Sequence, residues 1–176
     1  MKRRLMIPII LFSIFLGGMT MESAFGQNRP AKPVIGESFA AKETSPYETW
    51  KIYLKASDPE GEMRSIFAVV EQAGVGPYSL SITRLKGGTE KEFSGYVYLN
   101  FLGPNPSILN FVHLNLTLWI QDRSGSFSEP ARFPLSLNVR FVQEAPPPGK
   151  FKEVDLGPIM IRLHPVSHSA RIWTGE

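Results

Sequence analysis

Four carboxylates in two short turns are the residues of this chain whose types and spacing best suit chemistry. Three of them, Asp58, Glu60 and Glu62, lie in the run DPEGE, and Asp122 opens a second turn with the sequence DRSG. Carboxylate oxygens are the ligands that calcium prefers, so convergence of the two turns would create a site for that ion. Each aspartate also holds the first position of a turn, where its side chain accepts backbone N–H bonds, and this local role competes with metal binding.

Aromatic side chains form a second candidate set. Tyr53, Tyr96, Tyr98 and Trp119 occupy outward positions if the apolar residues that alternate with them face a core. Flat rings on an outer face can stack on the apolar side of a sugar or anchor a protein partner. Aromatic pairs on neighbouring strands also stabilise a sheet, and the C-terminal segment could cover them. Both explanations are consistent with the pattern.

Zinc and catalytic chemistry have weaker support. His164 and His168 have the spacing of two zinc ligands on one helix face, but Pro165 and the extended pattern before it argue against a helix there. The sequence contains no GxSxG elbow, no HExxH motif and no phosphate-binding loop. We therefore expect no catalytic residues, and no cofactor other than the hypothetical calcium ion.

Alternation of apolar and polar residues predicts the strands that must position these side chains. Trp50, Ile52 and Leu54 alternate with Lys51 and Tyr53, which places one face of the segment in a core and the other toward water. The same pattern recurs along most of the chain. It predicts seven strands near residues 33–39, 50–56, 66–70, 80–82, 93–101, 113–121 and 133–141.

Two of these strands carry specific expectations about which residues face inward. Leu80 and Ile82 are predicted to point into the core, and the last strand is predicted to continue as far as Phe141. The run KGGT from Lys86 predicts a tight hairpin, because paired glycines tolerate positive φ. The long connection 103–111 contains two prolines and suits a crossover between two sheets.

The strand pattern and the runs ASDPEGE and IQDRSG, which follow the second and sixth strands, resemble bacterial exported immunoglobulin-like β-sandwich domains, including cadherin-like and fibronectin-like modules. The resemblance covers residues 33–142. It implies an all-β fold, an antiparallel seven-stranded sandwich in which those two turns share one end. The chain has no cysteines to bridge the sheets and lacks the calcium motifs of true cadherins.

The first 26 residues are typical of a secretory signal peptide. Lys2, Arg3 and Arg4 precede an apolar run, and Ala24 and Gly26 provide small residues for cleavage. An uncleaved anchor is the alternative, although the run is shorter than the roughly 20 residues that span a membrane. Removal of three basic residues and one acidic residue lowers the net charge from +3 to +1. We expect a periplasmic or secreted protein with no membrane span after cleavage and no nucleic-acid partner.

The C-terminal part begins with a stiff proline-rich linker, APPPG at 145–149. Ile159, Ile161 and Leu163 then alternate as in a strand, which could lie along its own sandwich or be given to a partner. The predicted organisation is a signal peptide at 1–26, an immunoglobulin-like sandwich at 27–142, and a linker and extended tail at 143–176.

These features together predict a noncatalytic protein-binding or structural module of the cell envelope. The expected partner is an envelope or extracellular protein. Carbohydrate binding through the outward aromatic residues is the alternative function, and binding assays against glycans and proteins would distinguish the two.

Overall fold

The computed structural model describes residues 31–101 and 105–163, so the predicted signal peptide and the pair His164 and His168 lie outside the described residues. Within those ranges the chain is all-β, with one short 3-10 helix at Pro106–Leu109 and no α-helix. No helix in these ranges has the length and hydrophobicity to span a bilayer. The strands are β1 (Val34–Ala40), β2 (Glu43–Thr44), β3 (Trp50–Ser57), β4 (Met63–Gln72), β5 (Gly76–Pro77), β6 (Ser81–Arg84), β7 (Glu92–Phe101), β8 (His113–Asp122), β9 (Ala131–Leu137) and β10 (Asp155–Ile161).

The strands form two sheets around one hydrophobic core. The first sheet has the order β1-β3-β7-β10, and the second has the order β2-β9-β8-β4, with β5 and β6 both pairing with β4. The alternation predicted for β3 and β8 is confirmed, since their inward side chains are fully buried against the opposite sheet. Those residues are Trp50, Ile52, Leu54, Leu114, Leu116, Leu118 and Ile120.

The expectation of seven wholly antiparallel strands is wrong. The two sheets are mixed, because β10 runs parallel to β7 and β2 runs parallel to β9. A parallel neighbour requires a long connection, and residues 138–154 provide one by crossing back over the first sheet before β10 begins. The strands beyond the predicted seven are β10 and the two-residue β2 and β5.

Strand β6 has the opposite orientation to the one predicted. Leu80 and Ile82 are 49% and 54% exposed, whereas Ser81 and Thr83 are buried. The reason is that the inner side of β6 faces the backbone of β10 and requires hydrogen-bonding groups there. The amide of Met160 donates to Ser81 Oγ at 3.0 Å, and Thr83 Oγ1 donates to the Pro158 carbonyl at 2.6 Å.

Strand β9 ends at Leu137 and does not reach Phe141. A turn begins at Asn138, whose carbonyl accepts the Phe141 amide at 3.0 Å and whose side-chain Oδ1 accepts the Arg140 amide at 3.0 Å. An asparagine side chain that bonds the backbone two residues ahead offers an alternative to strand pairing. This local competition terminates the strand despite the continuing apolar alternation.

The C-terminal strand belongs to the first sheet and to its core. Leu156, Ile159, Ile161 and the following Leu163 are all buried, so the core extends past the predicted domain boundary at Val142. The chain reaches β7 at a glycine: a Cβ built on Gly95 would lie 2.5 Å from the Val154 carbonyl oxygen. Only a residue without a side chain permits this approach.

We expect Gly95→Ala to destabilise the protein by about 1–3 kcal/mol, because the added methyl group collides with backbone rather than with a movable side-chain end. Urea unfolding monitored by tryptophan fluorescence would measure the change. Gly36→Ala in β1 is the matched control, since a Cβ there meets nothing within 4 Å. Equal unfolding midpoints for the two variants would contradict the close packing of residues 154–156 on β7.

Candidate functional site

The aspartates that open the two acidic turns, Asp58 and Asp122, accept hydrogen bonds from groups within their own turns. Asp58 is buried and accepts the amides of Glu60 at 3.1 Å and Glu62 at 2.9 Å. The Arg123 amide donates to the Glu62 carbonyl at 3.0 Å, so the two turns do meet at one end of the fold.

Asp122 behaves in the same way. It is buried, and its Oδ1 accepts the Ser124 hydroxyl at 2.7 Å and the Ser126 amide at 2.8 Å. Across residues 31–101 and 105–163, no group of three or more acidic or histidine side chains is placed to hold a metal ion. In this geometry the four predicted calcium ligands, Asp58, Glu60, Glu62 and Asp122, are not gathered into one cluster, and Asp58 and Asp122 bond within their own turns.

The outer face of the first sheet, where Tyr53, Tyr96 and Tyr98 lie, is crossed by residues 143–154, which we call the strap. The Phe151 ring packs 5.7 Å from the Tyr53 ring, and the Tyr96 amide donates to the Val154 carbonyl at 2.9 Å. Tyr53 is consequently only 5% exposed, while Tyr96 and Tyr98 are half-buried. Coverage by the chain itself removes Tyr53 from the predicted contact surface.

One carboxylate attaches the strap to the sheet. Glu153 Oε2 lies 2.8 Å from Lys51 Nζ, and Glu153 Oε1 accepts the Tyr53 hydroxyl at 2.7 Å. These hydrogen bonds, first from Lys51 and then from Tyr53, lower the pKa of Glu153, and the bond to Glu153 raises the pKa of Lys51. Burial, followed by the bond to Glu153, raises the pKa of Tyr53. Lys51 Nζ also lies 4.2 Å from the centre of the Tyr96 ring.

The outer face of the second sheet carries the fourth predicted contact, Trp119. Phe67 pairs across the strands with Trp119 on one side and with Ile82 on the other. The Phe127 ring packs edge-on against Phe67, with ring centres 5.1 Å apart. We call Phe67, Ile82, Trp119 and Phe127 the aromatic face. Ile82 is 54% exposed and Phe127 is 42% exposed, which shows that the described chain leaves this face open to solvent.

Two arginines border the aromatic face. Arg84 follows Ile82 by two residues on the same side of β6, and Arg132 pairs with Thr117, two residues before Trp119. Both arginines are exposed, and neither has an acidic group within 4.0 Å among the described residues. Two carboxylates on the outer side of this sheet lie farther away: Glu71, two residues beyond Val69 along β4, and Glu43, which pairs with Ser136 of β9. The aromatic face therefore has a positively charged residue at its border on β6 and another at its border on β9.

Sequence reasoning predicted Trp119 on this surface and missed its three neighbours. Phe67 lies in a segment that is apolar on both faces, so periodicity could not orient it. Ile82 was predicted to face inward, because apolar Leu80 and Ile82 alternate with polar Ser81 and Thr83. Phe127 lies between strands, where alternation gives no signal.

Comparisons with known proteins do not identify a family for this chain. No protein-family model matches the chain, and no curated protein matches it. Among solved structures, a match is found to the CARDB domain of a Pyrococcus furiosus protein, crystallised in complex with di-metal ions. The two share 8% sequence identity over 62% of this chain and 93% of that one, with a TM-score of 0.31. A likeness at that level carries no argument about this chain.

The strap contact predicts a specific pH dependence. Because the fold lowers the pKa of Glu153 from its ordinary value of 4.5, the stabilisation is present above that value and is lost as the pH falls through the lower folded pKa. Glu153→Gln should reduce the free energy of unfolding at pH 7 by less than about 1 kcal/mol, since the ion pair is largely exposed.

Urea midpoints of the wild type and Glu153→Gln at pH 7 and at about pH 3 would measure this effect, with convergence expected at the lower pH. Glu144→Gln is the control, because that exposed strap residue makes no ion pair in the described part of the chain. A difference between wild type and Glu153→Gln that is the same at both pH values would contradict the role given to the ionised carboxylate.

Proposed function

We propose that this protein is an exported, noncatalytic immunoglobulin-like β-sandwich that binds a protein partner of the cell envelope through the aromatic face. One observation carries the proposal: the strap covers Tyr53 on the first sheet, whereas in the described part of the chain Ile82 and Phe127 leave the aromatic face accessible to solvent. The basic and apolar N-terminal segment, typical of a signal peptide, supports export to the periplasm or beyond.

The composition of the aromatic face suits recognition of another protein. Tryptophan and arginine are enriched among the residues that contribute most to protein–protein binding, and aromatic rings provide large contact area at low conformational cost. Phe67 and Phe127 support each other by edge-on packing, so the surface is ordered before a partner arrives. Arg84 and Arg132, which have no acidic partner within 4.0 Å among the described residues, favour a partner with acidic groups around an apolar patch.

The titratable groups of the described chain support a noncatalytic role. His113 Nδ1 lies 3.0 Å from Ser136 Oγ on an exposed strand, with no acidic residue hydrogen-bonded to the imidazole. A cleft of about 570 Å³ beside β1 and β3 contains Glu37 and Lys55, which pair with each other at 3.1 Å. Such surface pairs are ordinary structural contacts.

Carbohydrate binding is the second candidate function, and one arrangement favours it. Asn115, Thr117 and Gln121 lie on the same face of β8 as the half-buried Trp119. A flat ring beside hydroxyl and amide groups suits the apolar face and hydroxyls of a sugar. The protein proposal is preferred because the aromatic face extends across β4 and β6 and has charged borders.

Site-specific crosslinking in the source cells tests the proposal. A photoreactive residue at Ile82 or Thr117 should crosslink to the same envelope protein, and one at Lys152, an exposed strap residue on the first sheet, should not. Trp119→Ala should weaken the purified complex by about tenfold or more, because truncating a central anchor typically costs over 1 kcal/mol. Its own unfolding midpoint would confirm that the variant is folded.

A glycan array with the wild type and Trp119→Ala distinguishes the alternative. Array signal that Trp119→Ala abolishes, with no protein crosslinked at Ile82 or Thr117, would favour carbohydrate binding. Crosslinks that are identical at Lys152 and at the two face positions, with no glycan signal, would contradict both functions for this face.

A further inference from the structure

The aromatic face has opposite charges at the two ends of its length along β4. Phe67 lies at its centre, between β6 and β8. Glu71 follows Phe67 by four residues, or about 13 Å, in one direction. In the other direction Arg84 pairs with Ser65, two residues or about 7 Å from Phe67. A ligand that complements this surface carries a basic group, then an apolar ring, then an acidic group, in that order.

The chain itself contains this order of groups in the sequence RIWTGE at 171–176. Arg171 comes first, Ile172 and Trp173 follow, and Glu176 comes last. We propose that the 171–176 segment binds the aromatic face of its own chain and competes there with the protein partner. The contact stands without the proposed function, and only the competition rests on it.

Leu163, the last residue that the structure describes, lies near the Glu71 end of the aromatic face. The hydroxyls of Ser81 and Thr83 bond the backbone of residues 160 and 158, so β10 runs antiparallel to β6. Leu163 is therefore level with residue 78, whose amide donates to the Val70 carbonyl at 2.8 Å. The chain thus approaches the face from the end that the basic Arg171 complements.

The intervening chain is long enough to reach the face. Crossing from β10 over β6 to β4 takes about 15 Å, including the height of the side chains above the sheet, whereas residues 164–170 span up to about 23 Å when extended. Leu80, which is 49% exposed, lies on this route and on the same outer side of β6 as Ile82. The route is therefore apolar from β6 to the centre of the face.

Trp173 provides the ring for the centre of the aromatic face. Ile82 and Phe127 are 54% and 42% exposed on either side of Phe67. A flat indole laid across them removes apolar surface from water on both partners. Apolar burial is therefore the main attraction, and the charges set the direction of the segment.

The charged residues at both ends of the face are available for pairing. Neither Glu71 nor Arg84 has an oppositely charged group within 4.0 Å among the described residues. Arg171 is placed to approach Glu71 as the segment enters. Gly175 allows the backbone to change direction, so that the Glu176 carboxylate approaches Arg84. The reversed direction of binding would bring like charges together at both ends.

Tethering makes a weak contact sufficient. A segment joined to its site by a short linker has an effective concentration of about 1 mM. With a dissociation constant of about 0.1 mM for the free segment, the face is covered about nine-tenths of the time. The apparent affinity for the partner then falls by about tenfold, because only the uncovered fraction binds.

Disulfide trapping in the full chain, which has no native cysteine, tests the contact. Thr174→Cys is combined with Ile82→Cys in one variant and with Met160→Cys in the control. Met160 is 42% exposed, on the outer side of the first sheet, and lies three residues before Leu163, so an unbound segment reaches it at least as readily as position 82.

Each closure rate is divided by the rates at which the two cysteines, placed singly, react with oxidised glutathione. Closure to position 82 should be about ten times faster than closure to position 160. Trp173→Ala should make the two normalised rates equal, and Glu176→Arg should reduce their ratio severalfold. Both changes are present in the two cysteine pairs alike, so local effects on the shared thiol cancel. Equal rates before either change would overturn the proposal.

The competition is measured with the photoreactive Ile82 variant in the source cells. Trp173→Ala should raise the yield of its crosslink to the envelope protein by about tenfold. An unchanged yield would overturn the competition. Trapping at position 82 with no crosslinked protein would remove the proposed function and leave the contact standing, whereas a crosslinked protein with no preferential trapping would remove the contact and leave the proposed function.

Discussion

The close passage of residues 154–156 over Gly95 is the contact on which the rest of the structure depends. The Val154 carbonyl accepts the Tyr96 amide at 2.9 Å, and Leu156 packs where a side chain on Gly95 would be. This approach lets β10 join the first sheet parallel to β7. It also provides the backbone groups that form hydrogen bonds with the buried hydroxyls of Ser81 and Thr83. These bonds set the orientation of β6.

The same contact makes the two outer faces of the molecule different. To reach β7, the chain must cross the first sheet, and in doing so it covers Tyr53 and ties Glu153 to Lys51. The orientation of β6 places Ile82 on the outer side of the second sheet beside Phe67. One C-terminal segment therefore accounts for both a covered tyrosine face and an open aromatic face.

Local patterning predicted those strands whose two sides have clearly different environments. In β3 and β8 the alternating inward residues from Trp50 to Ala56 and from Leu114 to Ile120 are all apolar, so alternation alone orients them correctly, and Trp119 was placed outward for this reason. Patterning gave the wrong orientation for β6, because the buried hydroxyls of that strand are placed by hydrogen bonds rather than by hydrophobicity. It extended β9 too far, because the Asn138 side chain bonds the backbone and starts a turn there. Phe67 lies in a doubly apolar stretch and Phe127 in a loop, so most of the aromatic face had no sequence signal.

By itself the sequence determined an all-β chain, the positions of most strands and the two Asp-led turns, because these depend on near neighbours: a period of two residues and side chains that bond their own backbone. Only the tertiary structure decided that β10 runs parallel to β7 and that the strap covers Tyr53. Those outcomes depend on which sheet edge remains unpaired after the other strands assemble. That edge is made by residues distant in sequence, and no local pattern encodes it.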